Sequence, residues 1–457
     1  MTTLMNHSPA VRFTGHLVLG AALLASIGAC SCILDVKNPN SIAEVSLSNP
    51  AAADAEASGV LASTVRAMGG LTNVYGVTTD ELDWIGSRDA YRDLETGAIG
   101  NYVNEYTDGV FPLISEARWL GDNTIARLEV FDAAKTLGNR VSLARAYLYT
   151  AITYSTIADV FDDFAFSDKT TAAAPIGRAA MGTLYDKAVG YLDKGLVIAQ
   201  TAGDKTAQYQ ILSWRARTKF SKAIWTKLTP RGTTPANPLV SDAGAAADAA
   251  AAVALVPGDT KFNLVNNIES TAGINVWYEV NNRKENQVGR AYYGPAFPVG
   301  QSSACKTCLG LVDPISGVED PTVKASTAAF IAFGGNSGTL WMSSNREMRL
   351  ILAEIALAGG DTATFTTQVN TVRALDGKPA WSGQISALAM LQYERRAQLW
   401  LMRRRLFDLY RFGQKVNEWV ANSSFDAAIA IPGLLFPIAN IERLSNPCIA
   451  IAGSCGK

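Results

Sequence analysis

Histidine is almost absent from this chain of 457 residues. Only His7 and His16 occur, and both precede Cys30, where we expect an N-terminal segment to be removed. The mature chain then contains no histidine. That absence excludes Ser-His-Asp and Cys-His nucleophile pairs and a His-ligated catalytic zinc. It leaves carboxylate-pair chemistry of the glycosidase type open.

An excess of basic charge is also missing. Lys and Arg total 40, and Asp and Glu total 41. Removal of the segment before Cys30 takes away Arg12 and no acidic residue, so the balance becomes 39 against 41, a net charge of −2. No basic field is left to gather nucleic acid, which is not an expected partner. The hydrophobic content of 48% indicates a globular chain with a large core.

The apolar run near the N-terminus is too short to cross a bilayer. It extends from Leu17 to Ala29, about 13 residues, whereas a spanning helix needs about 20. Arg12 precedes it, as in a secretory signal peptide. The end of the run, Ile27-Gly28-Ala29-Cys30, resembles the bacterial lipobox. We therefore expect a signal peptide over residues 1–29 and a lipid anchor on Cys30 rather than on Cys32, which has a poorer approach sequence.

Cysteine is scarce. Beyond Cys30 and Cys32, the remaining cysteines form two local pairs, Cys305 with Cys308 and Cys448 with Cys455. Four cysteines can hold zinc, and a Cys-x-x-Cys can be a redox motif. An exported chain meets an oxidising compartment, and no strand-helix pattern of thioredoxin type surrounds the first pair. Two short-loop disulfides are therefore favoured, without excluding the zinc site.

Helical periodicity dominates the first part of the chain, from about residue 45 to 260. From Asn139 to Phe161, apolar residues recur every three or four positions, which places a wide stripe on one helix face. Similar patterns occupy residues 184–196 and 209–223, and an Ala-rich segment occupies residues 243–255. They predict a mainly α fold of stacked antiparallel helix pairs of tetratricopeptide type. No repeat consensus is clean, so an irregular helical bundle is the alternative.

The middle of the chain, residues 261–340, follows a different pattern. It is rich in Asn, Gly, Ser and Pro, and its regular runs are too short to predict helices. Long irregular segments in a compact protein are usually binding surface or disorder. The aromatic residues Trp277, Tyr278, Tyr292 and Tyr293 argue against disorder. We therefore predict that this loop-rich insert is ordered and forms binding surface.

Specific motifs fill residues 341–457. The segments occur in the order Arg346–Ala356, Val369–Ala374, Tyr393–Leu399 and Arg405–Gly413. This succession resembles the SusD/RagB family of outer-membrane nutrient-binding lipoproteins, whose C-terminal region carries an R-x-A-E-like helix, an L-N-x-V-R-A helix and an E-R-R-x-E-L…F-D-L-x-R-x-G segment. Further family-like segments are Leu34–Val36, Leu435–Ile438 and Asn446–Pro447.

Two positions depart from the family pattern. Gln398 stands in place of the second Glu of the E-R-R segment, and Met402-Arg403 replaces the usual Glu-Gly before the F-D-L stretch. Because the charges of this segment alternate with apolar residues, we predict that several guanidinium groups are partly buried and paired with carboxylates in bidentate fashion. An arginine cluster that grips an anionic ligand is the alternative.

The resemblance implies a single SusD-like domain over residues 30–457, formed by the helical part, the insert and the motif-bearing C-terminal region. In this mainly α fold, tetratricopeptide-like helix pairs form a platform and the loop-rich segments pack on it. It also implies a binding protein without catalysis or cofactor. Such a protein sits on the cell exterior, anchored to the outer membrane, as a lid on a TonB-dependent transporter of SusC type. There it captures oligosaccharides or peptides for import. The lack of histidine in the mature chain agrees with this, and it comes from different residues.

No motif transfers the ligand-binding residues of the family. Sugar recognition needs aromatic faces together with carboxylates, amides and Arg, a mix found in residues 75–92 and 277–293. The candidates are Tyr75, Trp84, Arg88, Tyr91, Trp277, Tyr292 and Tyr293. Each aromatic residue could instead pack a loop onto the helices. Asp80, Glu81 and Asp83 lack the Gly and distal Glu of a calcium loop, so we interpret them as solvated or hydrogen-bonding groups and predict no metal site.

Two other function classes are compatible with parts of the sequence. A tetratricopeptide-type lipoprotein could scaffold an outer-membrane assembly through its concave helical face, but it would not need the aromatic-rich middle segment. A secreted hydrolase would need paired carboxylates, and no convincing pair is evident.

Overall fold

The computed structural model describes residues 44–168, 170–266, 275–292, 310–333 and 337–450. The chain divides into a short unit, Met1–Asn49, and a large unit, Pro50–Lys457. Of the short unit, only residues 44–49 are described, and they contain helix α1, Glu44–Leu47. The predicted signal peptide and the lipid-attachment candidates Cys30 and Cys32 lie outside the described residues.

The large unit is mainly helical, as predicted. Its α-helices are α2 Ala53–Thr78, α3 Asp89–Glu95, α4 Glu105–Ala133, α5 Arg140–Val160, α6 Thr183–Thr201, α7 Lys205–Lys227, α8 Ala243–Leu255, α9 Pro321–Ala332, α10 Asn345–Ala358, α11 Thr362–Leu375, α12 Ala387–Gln398, α13 Arg405–Arg411, α14 Asn440–Ser445 and α15 Pro447–Ala450. Its strands are β1 Leu82–Trp84, β2 Lys261–Asn266, β3 Asn286–Val288 and β4 Gly338–Ser344.

Helices that follow each other in the chain pack side by side from α4 to α8, and α10 then packs on both α8 and α11. Helix α5 shows why. The Asn139 side chain caps it by accepting from the backbone N of Val141, and the stripe residues Ala151, Tyr154 and Ile157 are completely buried. An apolar stripe of this width needs a neighbour on each side, which the adjacent helices supply.

The strands form two separate two-stranded antiparallel sheets. Strand β2 pairs with β4, from Lys261 opposite Ser344 to Asn266 opposite Gly338. Strand β1 pairs with β3, from Leu82 opposite Val288 to Trp84 opposite Asn286. Each sheet therefore joins segments that are far apart in the sequence.

The prediction that residues 261–340 contain no helix is wrong for α9. Pro321 begins this helix, and the Asp320 carboxylate caps it by accepting from the backbone N of Thr322 and Val323. An Asp followed by Pro at the first helical position is a helix-start signal. Phe330 of α9 is buried and lies edge-on to Trp400, at 5.6 Å between ring centres. The helix thus fastens the middle segment to the C-terminal region.

Several C-terminal guanidinium groups are buried and paired with carboxylates, which confirms the prediction from the sequence. Arg411 has no exposed side-chain surface, and it bonds both carboxylate oxygens of Glu354 and, through Nε, Asp408. Arg373 bonds Glu394 at 2.7 Å with both side chains fully buried. In the parts of the chain that the structure describes, no helix is both long and apolar enough to cross a membrane.

Candidate functional site

The two stretches predicted to bind ligand lie side by side. The first contains β1 and the second contains β3, and the two strands form one sheet in which Asp83 lies opposite Gln287. Gly289 allows the close approach at the end of this sheet, because a Cβ there would lie 2.1 Å from the carbonyl oxygen of Asp80.

A cavity of ≈ 490 Å³ opens beside this sheet. Its walls come from the two stretches, from α12 and α13, and from the segment that follows α13. The lining residues are Asp80, Asp83, Arg290, Ala291, Arg396, Arg405, Gln414, Lys415, Val416, Asn417 and Glu418. Charged and amide side chains dominate this lining, and no aromatic residue is among its described members.

Asp83, Arg290 and Glu418 line one side of the cavity. Together with Glu95, which lies near Arg290 but is not among the lining residues, they form what we call the acidic cluster. The Nε and the backbone N of Arg290 both donate to Asp83 Oδ2 at 2.8 Å. Its Nη2 lies 3.8 Å from Glu95 Oε1 and 3.6 Å from Glu418 Oε1. Burial raises the pKa of Asp83, and burial together with the nearby Asp83 carboxylate raises the pKa of Glu95 to about 7.

The other side is formed by what we call the basic cluster: Asp80, Arg396, Arg405 and Lys415. Arg405 grips both oxygens of Asp80, at 2.7 and 2.8 Å, and Arg396 Nη2 lies 3.1 Å from the same carboxylate. Burial acts to raise the pKa of Asp80, but Arg405 and Arg396 lower it below its usual value. Lys415 is exposed at the rim and has no partner among the described residues.

Four of the aromatic candidates are packing residues. Tyr75, Tyr91, Trp277 and Tyr292 are at most 2% exposed. The Tyr75 hydroxyl accepts from the backbone N of Leu406. Tyr91 bonds Asn73 and stacks on another ring, Trp277 packs near Phe330, and Arg396 covers the Tyr292 ring at 5.0 Å. Their faces are not open to a ligand, so we correct the sequence-based assignment for these four.

The remaining candidates differ among themselves. Trp84 is half-buried next to the acidic cluster, where its backbone N donates to Glu95 at 3.0 Å. Arg88 is exposed, and its backbone N donates to Glu285 at the far end of the sheet. Tyr293 lies outside the described residues. Among the candidates that the structure describes, Trp84 is therefore the aromatic residue that lies beside the acidic cluster and is partly exposed.

The carboxylates of residues 80–83 are mostly buried, so of the two expected alternatives, solvated or hydrogen-bonding, they take the second. Asp80, Glu81 and Asp83 are 8%, 1% and 4% exposed. Glu81 accepts from the backbone N of Leu401 at 2.7 Å, and burial raises its pKa to about 8. Their hydrogen bonding, the other half of the interpretation, is confirmed.

Sequence reasoning missed the segment from Gln414 to Glu418. It follows the F-D-L-x-R-x-G motif and begins after Gly413, which adopts a φ of 62° and turns the chain away from α13. The motif marks the turn, but nothing in it indicates that the next five residues form a cavity wall.

Among the predicted disulfide residues, Cys448 is disulfide-bonded. Cys305, Cys308 and Cys455 lie outside the described residues. The described residues contain no group of three or more Cys, Asp or Glu side chains arranged to hold a metal ion.

Two further concavities are less suited to a ligand. One of ≈ 790 Å³ lies along α7, where Lys219, Lys222 and Lys227 are already bonded to Asp248, Asp186 and backbone carbonyls. The other, beside Trp341 on β4, measures ≈ 50 Å³. Small-molecule sites usually enclose about 300–1,000 Å³.

Solved structures with the same architecture exist, although no protein-family model and no curated protein matches the sequence. A SusD-like carbohydrate binding protein from Bacteroides vulgatus ATCC 8482 shares 12% identity, with 87% of this chain and 96% of that chain covered and a TM-score of 0.57. A SusD superfamily protein from Bacteroides fragilis shares 13% identity, with 88% and 99% covered and a TM-score of 0.58. A SusD homolog from Bacteroides thetaiotaomicron VPI-5482 shares 14% identity, with 88% and 97% covered and a TM-score of 0.53. At these identities the likeness concerns the fold, which confirms the fold expected from the C-terminal motifs. The chain therefore has a SusD-like fold.

Proposed function

We propose that this protein is a nutrient-binding lipoprotein that captures oligosaccharide or peptide ligands and delivers them to a TonB-dependent, SusC-like transporter in the outer membrane. The observation that carries the proposal is the cavity between the acidic and basic clusters, which lies where the two predicted ligand stretches meet. The SusD-like fold supports it, since one protein with this fold is a carbohydrate binding protein.

Binding without catalysis is part of the proposal. The lining of the cavity holds several carboxylates, but Asp80 and Asp83 are engaged by guanidinium groups. Arg405 and Arg396 hold the pKa of Asp80 below its usual value, so Asp80 is a poor general acid near neutral pH. The described lining contains no hydroxyl, thiol or imidazole side chain, which suits a site that holds a polar ligand in place.

The direct test is isothermal titration calorimetry of the purified chain against a panel of oligosaccharides and short peptides. We expect saturable binding of at least one member. Reducing ends are measured in the same samples. Release of reducing ends from a glycan would contradict the binding role and support a hydrolase.

The location is tested separately on intact cells. A lid on the cell exterior is cut by added protease, whereas an inward-facing assembly scaffold resists. Protection of the protein on intact cells, with cleavage after lysis, would favour the scaffold.

A further inference from the structure

The candidate cavity has two oppositely charged sides. Of the acidic cluster, the carboxylates of Asp83 and Glu418 and the guanidinium of Arg290 line the cavity, a net charge of −1 when all are ionised. The basic cluster combines Arg396, Arg405 and Lys415 with the single carboxylate of Asp80, a net charge of +2. Each side therefore retains charge that its own partners do not neutralise.

Atoms free to bond a ligand occur on both sides. On the acidic side, Asp83 Oδ1 has no hydrogen-bond partner among the described residues, because Arg290 uses only Asp83 Oδ2. The Glu418 carboxylate makes no hydrogen bond to a described residue and lies 3.6 Å from Arg290 Nη2. On the basic side, Lys415 is exposed and Gln414 uses only its oxygen, as acceptor for Arg405. The acidic side thus offers acceptors, and the basic side offers donors.

The lining does not match a neutral sugar. Stacking on a sugar ring needs an exposed aromatic face, and the described lining has none. Hydroxyl groups can bond fixed charges, but they do not neutralise them, whereas an opposite charge on the ligand does both. The apolar lining residues Ala291 and Val416 are small, so the cavity selects little by side-chain hydrophobicity.

We propose that the cavity binds a short peptide by its two ends. The α-ammonium group of the peptide lies against Asp83 and Glu418, and its α-carboxylate lies against the basic cluster, chiefly Lys415. This inference rests on the proposed nutrient-binding function and selects the peptide among its ligand classes. The cavity volume of ≈ 490 Å³ suits a peptide of a few residues.

The test uses trialanine as probe, compared with N-acetyl-trialanine, trialanine amide and maltotriose, by calorimetry on the purified full chain. We expect trialanine to bind and each capped peptide to bind at least tenfold more weakly. Lys415→Gln should weaken binding of trialanine about tenfold but leave binding of trialanine amide unchanged. Glu418→Gln should also weaken binding of trialanine about tenfold, but it should leave binding of N-acetyl-trialanine unchanged.

Lys205→Gln and Glu105→Gln, exposed charge changes outside the cavity, are the matched controls and should leave the affinities as they are. Equal binding of capped and uncapped peptides would overturn the proposal. Binding of maltotriose without binding of any peptide would overturn it and leave the nutrient-binding function standing. Failure of all four probes, and of the wider ligand panel, would overturn both.

Discussion

Arg403 occupies a backbone conformation that favours glycine. Its φ is 58°, at the position where the family pattern has Gly. Its guanidinium is buried, donates to Thr72 Oγ1 at 2.7 Å and contacts the Met342 sulfur, and no carboxylate pairs with it among the described residues. Burial and the nearby charges of Arg217 and Arg404 lower its pKa to about 9. The departure from the family pattern therefore places a poorly compensated charge in the core.

Arg403→Met should stabilise the protein. The change removes the desolvated charge and keeps the apolar volume, so we expect the free energy of unfolding to rise by roughly 1–2 kcal/mol. Arg411→Met is the matched control with the opposite sign, because it leaves Glu354 and Asp408 without their cation and should cost about 3–5 kcal/mol. Urea denaturation measures both. Loss of stability in Arg403→Met would show that the guanidinium contributes more than its contacts indicate.

Glu81 should make the stability depend on pH. Its pKa rises from 4.5 to about 8 on folding, so the folded chain binds the proton more tightly than the unfolded chain. The contribution of Glu81 to stability is then fully present at or below about pH 4.5, and it falls by up to about 1.4 kcal/mol per pH unit as the pH rises toward and through the folded pKa. Glu81→Gln removes this contribution, and the slope that remains includes that of Glu95, whose pKa is about 7.

Melting temperatures between about pH 5 and pH 8 test this prediction. The wild type should lose more than Glu81→Gln over that range. Glu105→Gln, at an exposed glutamate on α4, should follow the wild type. Parallel curves for all three proteins would mean that Glu81 stays ionised in the core.

The role of a single residue could be predicted from the sequence where local chemistry decides that role. The pairing of the C-terminal guanidinium groups followed from charges set among apolar residues. The aromatic candidates failed for the opposite reason. Tyr91 and Trp277 carry the same chemistry whether they stack on a ligand or on a neighbouring ring, and only the tertiary arrangement distinguishes the two.

At the scale of elements, the β1–β3 sheet brings the two sides of the cavity together. Asp80 precedes β1, Asp83 is its middle residue, and Arg290 follows β3, so the pairing of the strands sets the separation of the two clusters. The sheet is short, with three residues in each strand. At the end of the sheet, the backbone of Gly289 packs closely against the backbone of Asp80.

Gly289→Ala should disrupt this element. A Cβ at 2.1 Å from a backbone oxygen forces the strands apart, so we expect a loss of about 1–3 kcal/mol and of ligand binding. Gly190→Ala is the control, because Gly190 lies exposed inside α6 with no atom within 4 Å of the added carbon. That change should raise stability by about 0.5–1 kcal/mol. Thermal melts combined with calorimetry distinguish the two, and an unperturbed Gly289→Ala variant would disprove the role of this contact.

The helices were more predictable than the strands. Helix α8 begins and ends where the Ala-rich segment indicated, because its cap and its stop are local. The strands β1 and β3 have three residues each, too few for an alternating pattern to show, and their pairing depends on residues about 200 positions apart. The segment from Gln414 to Glu418 was missed because its role as a cavity wall also depends on residues far away in the sequence.

At the scale of the whole molecule, the proposed function joins a ligand cavity to a membrane anchor. In the proposed arrangement, an anchor would confine the protein near a transporter and raise their effective concentration without adding a contact. The anchor on Cys30 and the signal peptide over residues 1–29 are proposals from the sequence, and the cavity belongs to the large unit of the structure.

Cys30→Ala should separate binding from delivery. We expect the variant to fold and to bind ligand like the wild type, but to support slower growth on that ligand, because the untethered protein diffuses away from the transporter. Cys32→Ala keeps the preferred attachment residue and is the control. Cell fractionation and growth curves provide the readouts. Wild-type growth of Cys30→Ala would remove the main physical argument for a tethered lid.

The lining of the cavity has a consequence for biosynthesis. Its first residue, Asp80, and its last, Glu418, are separated by most of the chain, and α12 and α13 supply the residues that pair with Asp80. Contacts of such long range form late in folding. A nascent or truncated chain that ends before residue 414 lacks a complete wall, so ligand cannot be retained by an unfinished molecule. The ability to bind then reports that synthesis and folding are both complete.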